Sequence, residues 1–396
     1  MARKKEAKKT AASSPPPSSS SSSIMFEADD EEGLGVQENA AFRSGFVSIL
    51  GNPNVGKSSL LNALLGEKLS IVSPKPQTTR HRILGILSQP AFQVIFSDTP
   101  GMLETPAYSL QESMMESVRG AMSDGDLVLL VTDVFGEPLA DERVREKLPL
   151  TNRTVLVVVN KMDLIDPNIS SLNTNNSTMM SSSSGALTKL RKPFSSSSPS
   201  GRNERDRRGG KEEDGNKEEE DYSSPRSFEE LTQLWRTRIP HAEIIGISAA
   251  NGYNVSVLQD VIVARLPEGP RYFPADTLTT RDERFFASEI IREALFHAYQ
   301  DEVPYSCEVR IASFIDRTAS LSAIEAEIVV DKDSQKAILI GKGGGKLKEL
   351  GIQARLKLEE FLQRKIFLSL RVKVDSDWRR NKDTLARFGY IESDFG

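Results

Sequence analysis

Phe46-Val47-Ser48-Ile49-Leu50-Gly51-Asn52-Pro53-Asn54-Val55-Gly56-Lys57-Ser58-Ser59-Leu60-Leu61 decides the fold. An apolar run of strand type enters a loop bounded by Gly51 and Gly56, and a helical apolar pattern leaves it. Strand, then G-x-x-x-x-G-K-S, then helix is the context in which such a loop cradles phosphate. The glycines let the backbone curl so that N–H groups point at phosphate oxygens. The helix that follows offers the same oxygens its positive end. Lys57 supplies a charge to the outer phosphates, and the Ser58 hydroxyl suits Mg²⁺. Asn54, Val55, Gly56, Lys57, Ser58 and Ser59 are therefore the expected phosphate-contacting run.

Working outward, strand-like runs recur at Ile83–Leu87, Phe92–Phe96, Leu127–Val131, Val155–Val159 and Ile244–Ile247. Helical patterns lie between them at Lys57–Leu65, Ser109–Ser123, Asp141–Lys147, Phe228–Arg238 and Val255–Leu266. Near-continuous apolar strands alternating with helices predict an α/β layer built on a mostly parallel sheet. Two strand ends carry further chemistry. Asp98-Thr99-Pro100-Gly101 places a carboxylate for Mg²⁺ and a Gly101 N–H that can sense a γ-phosphate. Asn160-Lys161-Met162-Asp163 offers a carboxylate that accepts both N–H donors of a guanine edge, which adenine lacks. Asn160 is expected to brace loops, Lys161 to pack its stem on the base, and Ser248-Ala249 to complete recognition through the Ala249 N–H. In Gln77-Thr78-Thr79-Arg80-His81-Arg82, Thr79 is the expected switch residue that joins Ser58 and Asp98 at Mg²⁺, with the rest of the run solvent-exposed. Lys57, Thr79 and Gly101 are then the catalytic candidates. Met102 follows Gly101 where many GTPases carry a water-positioning glutamine. Hydrolysis should therefore be slow, or depend on a partner or a cation, with Asn54 a candidate ligand for K⁺.

The bulk numbers agree with a non-membrane chain of two domains. The sequence has 396 residues, a net charge of -5, one cysteine and three histidines. A single cysteine, Cys307, excludes a disulfide framework. No apolar run reaches the roughly 20 residues of a membrane span, although peripheral contact with a membrane surface stays open. The expected organisation is a tail over 1–44, a G domain over 45–266, a linker over 267–280, a second domain over 281–390 and a tail over 391–396. The Lys/Arg- then Ser/Pro-rich N-terminus is compatible with an organelle transit peptide. A Ser/Asn-rich, then densely charged stretch over about 166–225 lacks the apolar residues to order itself and predicts a disordered insertion.

The second domain opens with an amphipathic helix over Asp282–Tyr299. Strands are expected at Cys307–Ile315, Leu321–Val330 and Ile366–Val374, with helices at Ser334–Ile340 and Lys346–Arg364, which makes an α+β unit. Between those helices Gly341-Lys342-Gly343-Gly344 forms a G-x-x-G loop, the device with which KH domains clamp a nucleic-acid backbone. From Gly341 to Lys373 there are nine basic residues against three acids, an electrostatic footprint for phosphate. Gly341, Lys342, Gly343, Gly344 and Lys346 are the expected RNA contacts.

The runs Pro76–Ile83, Arg284–Glu293 and Ile338–Gly344, with Glu302–Cys307, resemble the Era GTPases over about Phe46 to Tyr390, the insertion apart. The resemblance implies an α/β P-loop GTPase domain with a mostly parallel sheet followed by an α+β type II KH domain. It implies GTP/GDP and Mg²⁺ as ligands. Its implied partners are the 3′ end of small-subunit ribosomal RNA and the assembling small ribosomal subunit, for a protein acting as a monomer. It favours the plastid stroma over mitochondrion or cytoplasm. Ala250-Asn251 depart from the family's lysine after Ser-Ala, which implies weaker base affinity. An RNA-binding factor that holds nucleotide with little turnover is the competing expectation, since Met102 cannot orient water.

Overall fold

This computed structural model describes residues 41–73, 75–170, 222 and 224–391. Those from Ala41 onward belong to one compact unit. Of the expected tails over 1–44 and 391–396, residues 1–40 and 392–396 lie outside the described residues, as does the bulk of the expected insertion.

The first sheet is built from β1 (Arg43–Leu50), β2 (Ile83–Ser88), β3 (Phe92–Asp98), β4 (Leu127–Asp133), β5 (Thr154–Asn160) and β6 (Glu243–Gly246). Their order is β2-β3-β1-β4-β5-β6. Only β2 runs antiparallel to its neighbour; the other pairings are parallel. The apolar stretches of β4 and β5 are buried throughout because helices cover both faces. One face packs against α1 (Lys57–Leu65) and α5 (Val255–Arg265). The other packs against α2 (Ser109–Asp124), α3 (Glu142–Lys147) and α4 (Phe228–Arg238). Local chemistry fixes the ends. Helix α4 begins at a Ser227/Glu230 capping box, which satisfies two otherwise orphaned donors.

The edges of the expected disordered segments are more ordered than their composition suggests. Strand β1 already begins at Arg43, because Ser44 N–H donates to Pro267 O at 3.1 Å. Pro167–Ser170 makes one helical turn, and its Ile169 side chain is buried in the core. The Pro/Gly-rich stretch 267–280 is laid along β2 and β3 rather than spanning a gap. Ile86 N–H donates to Leu278 O at 2.8 Å, and Gln93 Oε1 accepts from both Tyr272 and Phe273 N–H.

The second sheet has the order β7-β8-β9, with β7 (Glu308–Thr318), β8 (Leu321–Val330) and β9 (Lys365–Val374). Strands β7 and β8 are antiparallel, whereas β8 and β9 are parallel. Helices α6 (Glu283–Ala298) and α8 (Gly345–Leu362) share one core with the sheet through Ile291, Leu295, Ile324, Ile328, Leu350 and Leu358. Between β8 and α8 lies α7 (Asp333–Ile340). After β9 the chain turns back onto the first domain. Trp378 is fully buried and its indole N–H donates to Ser306 O at 3.0 Å. It joins the core that α2 lines, ahead of the short α9 (Lys382–Arg387).

Candidate nucleotide site and RNA-facing groove

The first site forms at the carboxyl edge of the parallel sheet, where open α/β sheets place ligands. The loop after β1, the end of β3, the end of β5 and the turn after β6 line one cavity. That cavity brings together Asn54, Gly56, Lys57, Ser58, Ser59, Thr79, Gly101, Asn160, Lys161, Asp163 and Ala249. Gly56 sits at φ 97, and a Cβ there would come within 2.1 Å of Asn160 Nδ2. Only glycine meets both demands. Val55 is packed beneath the loop, its carbonyl accepting from Asn160 Nδ2 at 2.9 Å.

Lys57 is buried, and its Nζ donates to Gly51 O at 3.0 Å and Asn52 O at 2.8 Å. Burial draws its pKa down to about 8, against the pull of Asp98. The ammonium is thus held inside the loop's curl by two neutral carbonyls, where an anionic ligand would stabilise its charge. Ser58 Oγ donates to Asp98 Oδ2 at 2.8 Å and lies 2.9 Å from Thr79 Oγ1. Asp98 Oδ1 is buried without a hydrogen-bond partner, and burial pushes this carboxyl's pKa up. Two hydroxyls beside an unsatisfied carboxylate oxygen are a hard donor set of the kind Mg²⁺ takes. Ser58, Thr79 and Asp98 would hold the cation, which supplies charge neutralisation at the phosphates when bound. Thr78 points elsewhere, its hydroxyl donating to Lys75 O at 2.7 Å.

At the other end Asn160 braces two loops: besides Val55 O, its Oδ1 accepts from Ala249 N–H at 2.9 Å. That N–H was expected to face a base, but here it closes the loop onto Asn160. Lys161 is in the left-handed region at φ 65 and pairs with Asp133 at 2.8 Å. Ser248 Oγ donates to Asp163 Oδ1 at 2.5 Å, so the carboxylate is oriented before any ligand arrives. Ala250, in place of the usual lysine, lines the cavity. Asn251 donates to Ile169 O at 3.2 Å.

The run after Thr79 is not exposed. Arg80 is buried in the second domain. Its guanidinium donates to Glu308 at 3.0 Å and to the carbonyls of Cys307, Pro304 and Tyr305 at 2.7, 3.2 and 3.0 Å. Arg292, also buried, pairs with Glu289 and donates to Thr78 O at 2.6 Å. Lys75 donates to Phe296 O at 2.5 Å and to Tyr299 O, carbonyls at the end of α6. The second domain also holds α2, since Leu110 N–H donates to Arg379 O at 3.0 Å. Arg82 stays in the first domain, on Ser97 and Asp124. Cys307, at the centre of this seam, is fully buried, and its thiol is pushed up to about 12 by desolvation.

His81 stacks on Tyr390 with ring centroids 4.2 Å apart, and Tyr390 donates to Glu308 at 2.6 Å. Desolvation brings the imidazole down to about 4; Glu289 and Glu308 oppose the shift, while Arg292 and Arg281 reinforce it. A folded pKa below the unfolded value near 6.5 contributes stability above that pH and loses it as pH falls toward the folded value. The residue as a whole is only partly buried, and water nearby limits the size of this contribution. His81→Phe keeps the stack and removes the titration. Its urea midpoint should fall less than the parent's between pH 7 and 4.5, and parallel profiles would refute this assignment.

The second site is a groove between α8 and β9 below the G-x-x-G loop. Gly344, Lys348, Gly351, Ile352 and Arg355 form one wall, and Phe367, Leu368 and Leu370 form the other. Ile352 and Phe367 remain 43% and 60% exposed. Solvent-facing apolar side chains beside cations suit unstacked bases and their phosphates. Gly341, Lys342, Gly343 and Gly344 make the turn between α7 and α8. Lys346 does not share that groove. It faces a different hollow with Glu349, Gln353 and Lys357, because 346 and 348 lie about 200° apart around a helix. Lys348 and Arg355 were counted in the basic face but not singled out as contacts, and Ile352 and Phe367 were not named; the 348, 352, 355 spacing on α8 was the available signal. The basic count also thins, since Lys357 pairs with Glu293 and Arg364 with Glu283. Lys342, Lys348 and Arg355 make no ion pair among the described residues.

Residues 46–161 match the family profile of 50S ribosome-binding GTPases, and residues 302–379 that of KH domains. GTPase ERA1, chloroplastic, of Zea mays is 37% identical over 374 residues, which is 93% of this chain and 75% of that protein. GTPase Era of Heliobacterium modesticaldum is 37% identical over 351 residues, 88% of this chain and 98% of that protein. A crystal structure of Era in complex with MgGDPNP and nucleotides 1506–1542 of 16S ribosomal RNA superposes with a TM-score of 0.70 at 34% identity, covering 88% of this chain and 99% of that one. Coverage of both domains at these identities places this chain in the Era family of GTPases.

Proposed function

We propose that this chain is a GTP-hydrolysing switch whose nucleotide state sets the affinity of its KH groove for the 3′ end of small-subunit ribosomal RNA, and that it assists small-subunit maturation. The observation that carries this reading is the continuity of the run Lys75–His81. Thr79 sits with Ser58 and Asp98 at the phosphate end, and the next residue, Arg80, is buried among KH-domain carbonyls. A change at the phosphates therefore pulls directly on the second domain. The RNA ligand of the superposed Era structure supports the partner class, and the chloroplastic maize relative supports the plastid. Asp163 and the Lys161 stem hold guanine in this reading, with Ser248 orienting Asp163 and Asn160 bracing the Ala249 loop. Asn54, in the left-handed region at φ 63 and exposed at the loop's tip, takes K⁺. The burial of Met102 favours slow intrinsic turnover, the feature shared with the reading of a nucleotide-holding RNA factor.

The test is fluorescence anisotropy at fixed salt with a short RNA of that 3′ end and a scrambled control, with GDP or a non-hydrolysable GTP analogue. Gly343→Asp adds a carboxylate where phosphate would lie. Gly343 is at φ 59, and a Cβ added there would meet nothing within 4 Å. Asp tolerates that backbone region better than most residues. Loss of at least ~10-fold in RNA affinity (about 1.4 kcal/mol) with unchanged GDP affinity is expected. Equal, weak binding of parent and variant to both RNAs would end the proposal for the KH half.

A further inference from the structure

Water attack on a phosphoanhydride needs a group that holds the water in line and accepts its hydrogen bond. The residue after Gly101 cannot serve. Met102 is a thioether, and its side chain is fully buried with Leu110 and Met114. Four other polar side chains along the cavity are committed. Lys57 holds loop carbonyls, Ser58 donates to Asp98 and meets Thr79, and Lys75 is tied to the end of α6.

Gln77 is different. It lines the cavity two residues before Thr79 and is half-buried. Its backbone lies at φ 57, a left-handed conformation that costs a residue with a side chain about 1–2 kcal/mol and that clusters at functional sites. Its carboxamide is also oriented by the protein. Gln111 on α2 accepts the Ala107 backbone N–H on its Oε1 at 2.8 Å, which fixes its Nε2 as the donor on the other side. The atom of Gln77 that meets that Nε2, at 3.3 Å, must therefore be the oxygen Oε1. One lone pair of that oxygen and both Nε2 protons take no hydrogen bond among the described residues, on a side chain that lines the cavity.

We propose that Gln77 is the water-positioning catalytic residue of this GTPase, with Gln111 as the residue that orients its amide. This rests on the GTP-hydrolysing reading of the same cavity. Gln77 Oε1 accepts a hydrogen bond from the attacking water, and its Nε2 donates toward the charge developing on the γ-phosphoryl oxygens. The water oxygen bonds to the γ-phosphorus as the bond to the β–γ bridging oxygen breaks. GDP keeps that electron pair, and the water's proton leaves with inorganic phosphate. The arrangement takes the amide from the switch before Thr79 and its orienter from the helix after Gly101, so both switches must be in place before water is held.

The test uses the full chain and the variants Gln77→Gly and Gln77→Asn. Glycine keeps φ positive at no cost and asparagine tolerates it, so neither variant should disturb the fold. Three quantities are measured: affinity for a fluorescent GDP, single-turnover GTP hydrolysis in potassium and in sodium salts, and trapping of GDP by aluminium fluoride. GDP affinity should stay within about 2-fold of the parent, while hydrolysis falls ~100-fold, the scale of one lost transition-state donor or acceptor. Aluminium fluoride, which mimics the transferring phosphoryl group, should no longer stabilise the GDP complex. Gln111→Leu should lose about 3–10-fold in rate with the same GDP affinity, as a residue acting through another. A parent that hydrolyses GTP alongside Gln77 variants that match it in rate and trapping would overturn this proposal alone. A parent with no hydrolysis in either salt would overturn the GTPase reading and this proposal with it.

Discussion

Asp163→Asn should lower affinity for GTP and GDP by roughly 10⁴-fold, about 5.5 kcal/mol, and leave the fold intact. The carboxylate is held on Ser248 Oγ at 2.5 Å beside Lys161, whose own charge is spent on Asp133. Its role in this reading is to accept two N–H donors from guanine. A carboxamide presents one acceptor and one donor, so a guanine N–H would face an N–H and both would lose their partners in a desolvated cleft. The same substitution should favour xanthine, whose additional carbonyl accepts from the new amide. Equilibrium binding of fluorescent GDP, XDP and ADP to parent and variant checks this. Unchanged GDP affinity would remove Asp163 from base recognition.

The second large effect lies at the seam. Arg80→Met should destabilise the chain by about 3–5 kcal/mol, the usual cost of breaking a buried ion pair from one side. Methionine fills most of the volume but leaves Glu308 with only the Tyr390 hydroxyl, and it strips the carbonyls of Pro304, Tyr305 and Cys307 of their shared donor. Lysine would restore charge without the planar fork that reaches all four acceptors, so Arg80→Lys should fall between. Adding Glu308→Gln to Arg80→Met should recover part of the loss, because the stranded charge is gone. Urea unfolding measures the stability. Anisotropy with the RNA measures the coupling: in Arg80→Met the affinity difference between GTP analogue and GDP should shrink. A variant as stable and as nucleotide-sensitive as the parent would show that the seam carries no message.

What sequence could reveal divides along physical lines. The buried strands β4 and β5 and the loop from Gly51 to Ser58 were legible because each is dictated by local pattern: unbroken apolar runs, and glycines where backbone must approach phosphate. The grouping of Ser58, Thr79 and Asp98 was legible because each sits beside a strand end or switch of a known kind. The seam was not. Arg80 and Glu308 are 228 positions apart, and an arginine in a polar run reads as solvated until a second domain is laid on it. The groove was half legible: the glycine loop announces itself, but whether Lys346 or Lys348 lines the groove depends on how α8 is rotated against β9. The borders of low-complexity stretches failed because one buried side chain, Ile169, can anchor a turn that composition assigns to disorder.

The chemistry of Cys307 has a practical consequence. Burial keeps the Cys307 thiol protonated and leaves it no exposed surface, which suppresses thiolate chemistry, and the chain has no other cysteine. The protein is thus silent toward maleimides as it stands. Cysteines placed at Leu150, 82% exposed on the first domain, and Ile315, 58% exposed on the second, could take a donor and an acceptor dye while the native cysteine stays in place. The distance between the two domains could then be followed by energy transfer as GTP is loaded, hydrolysed and released.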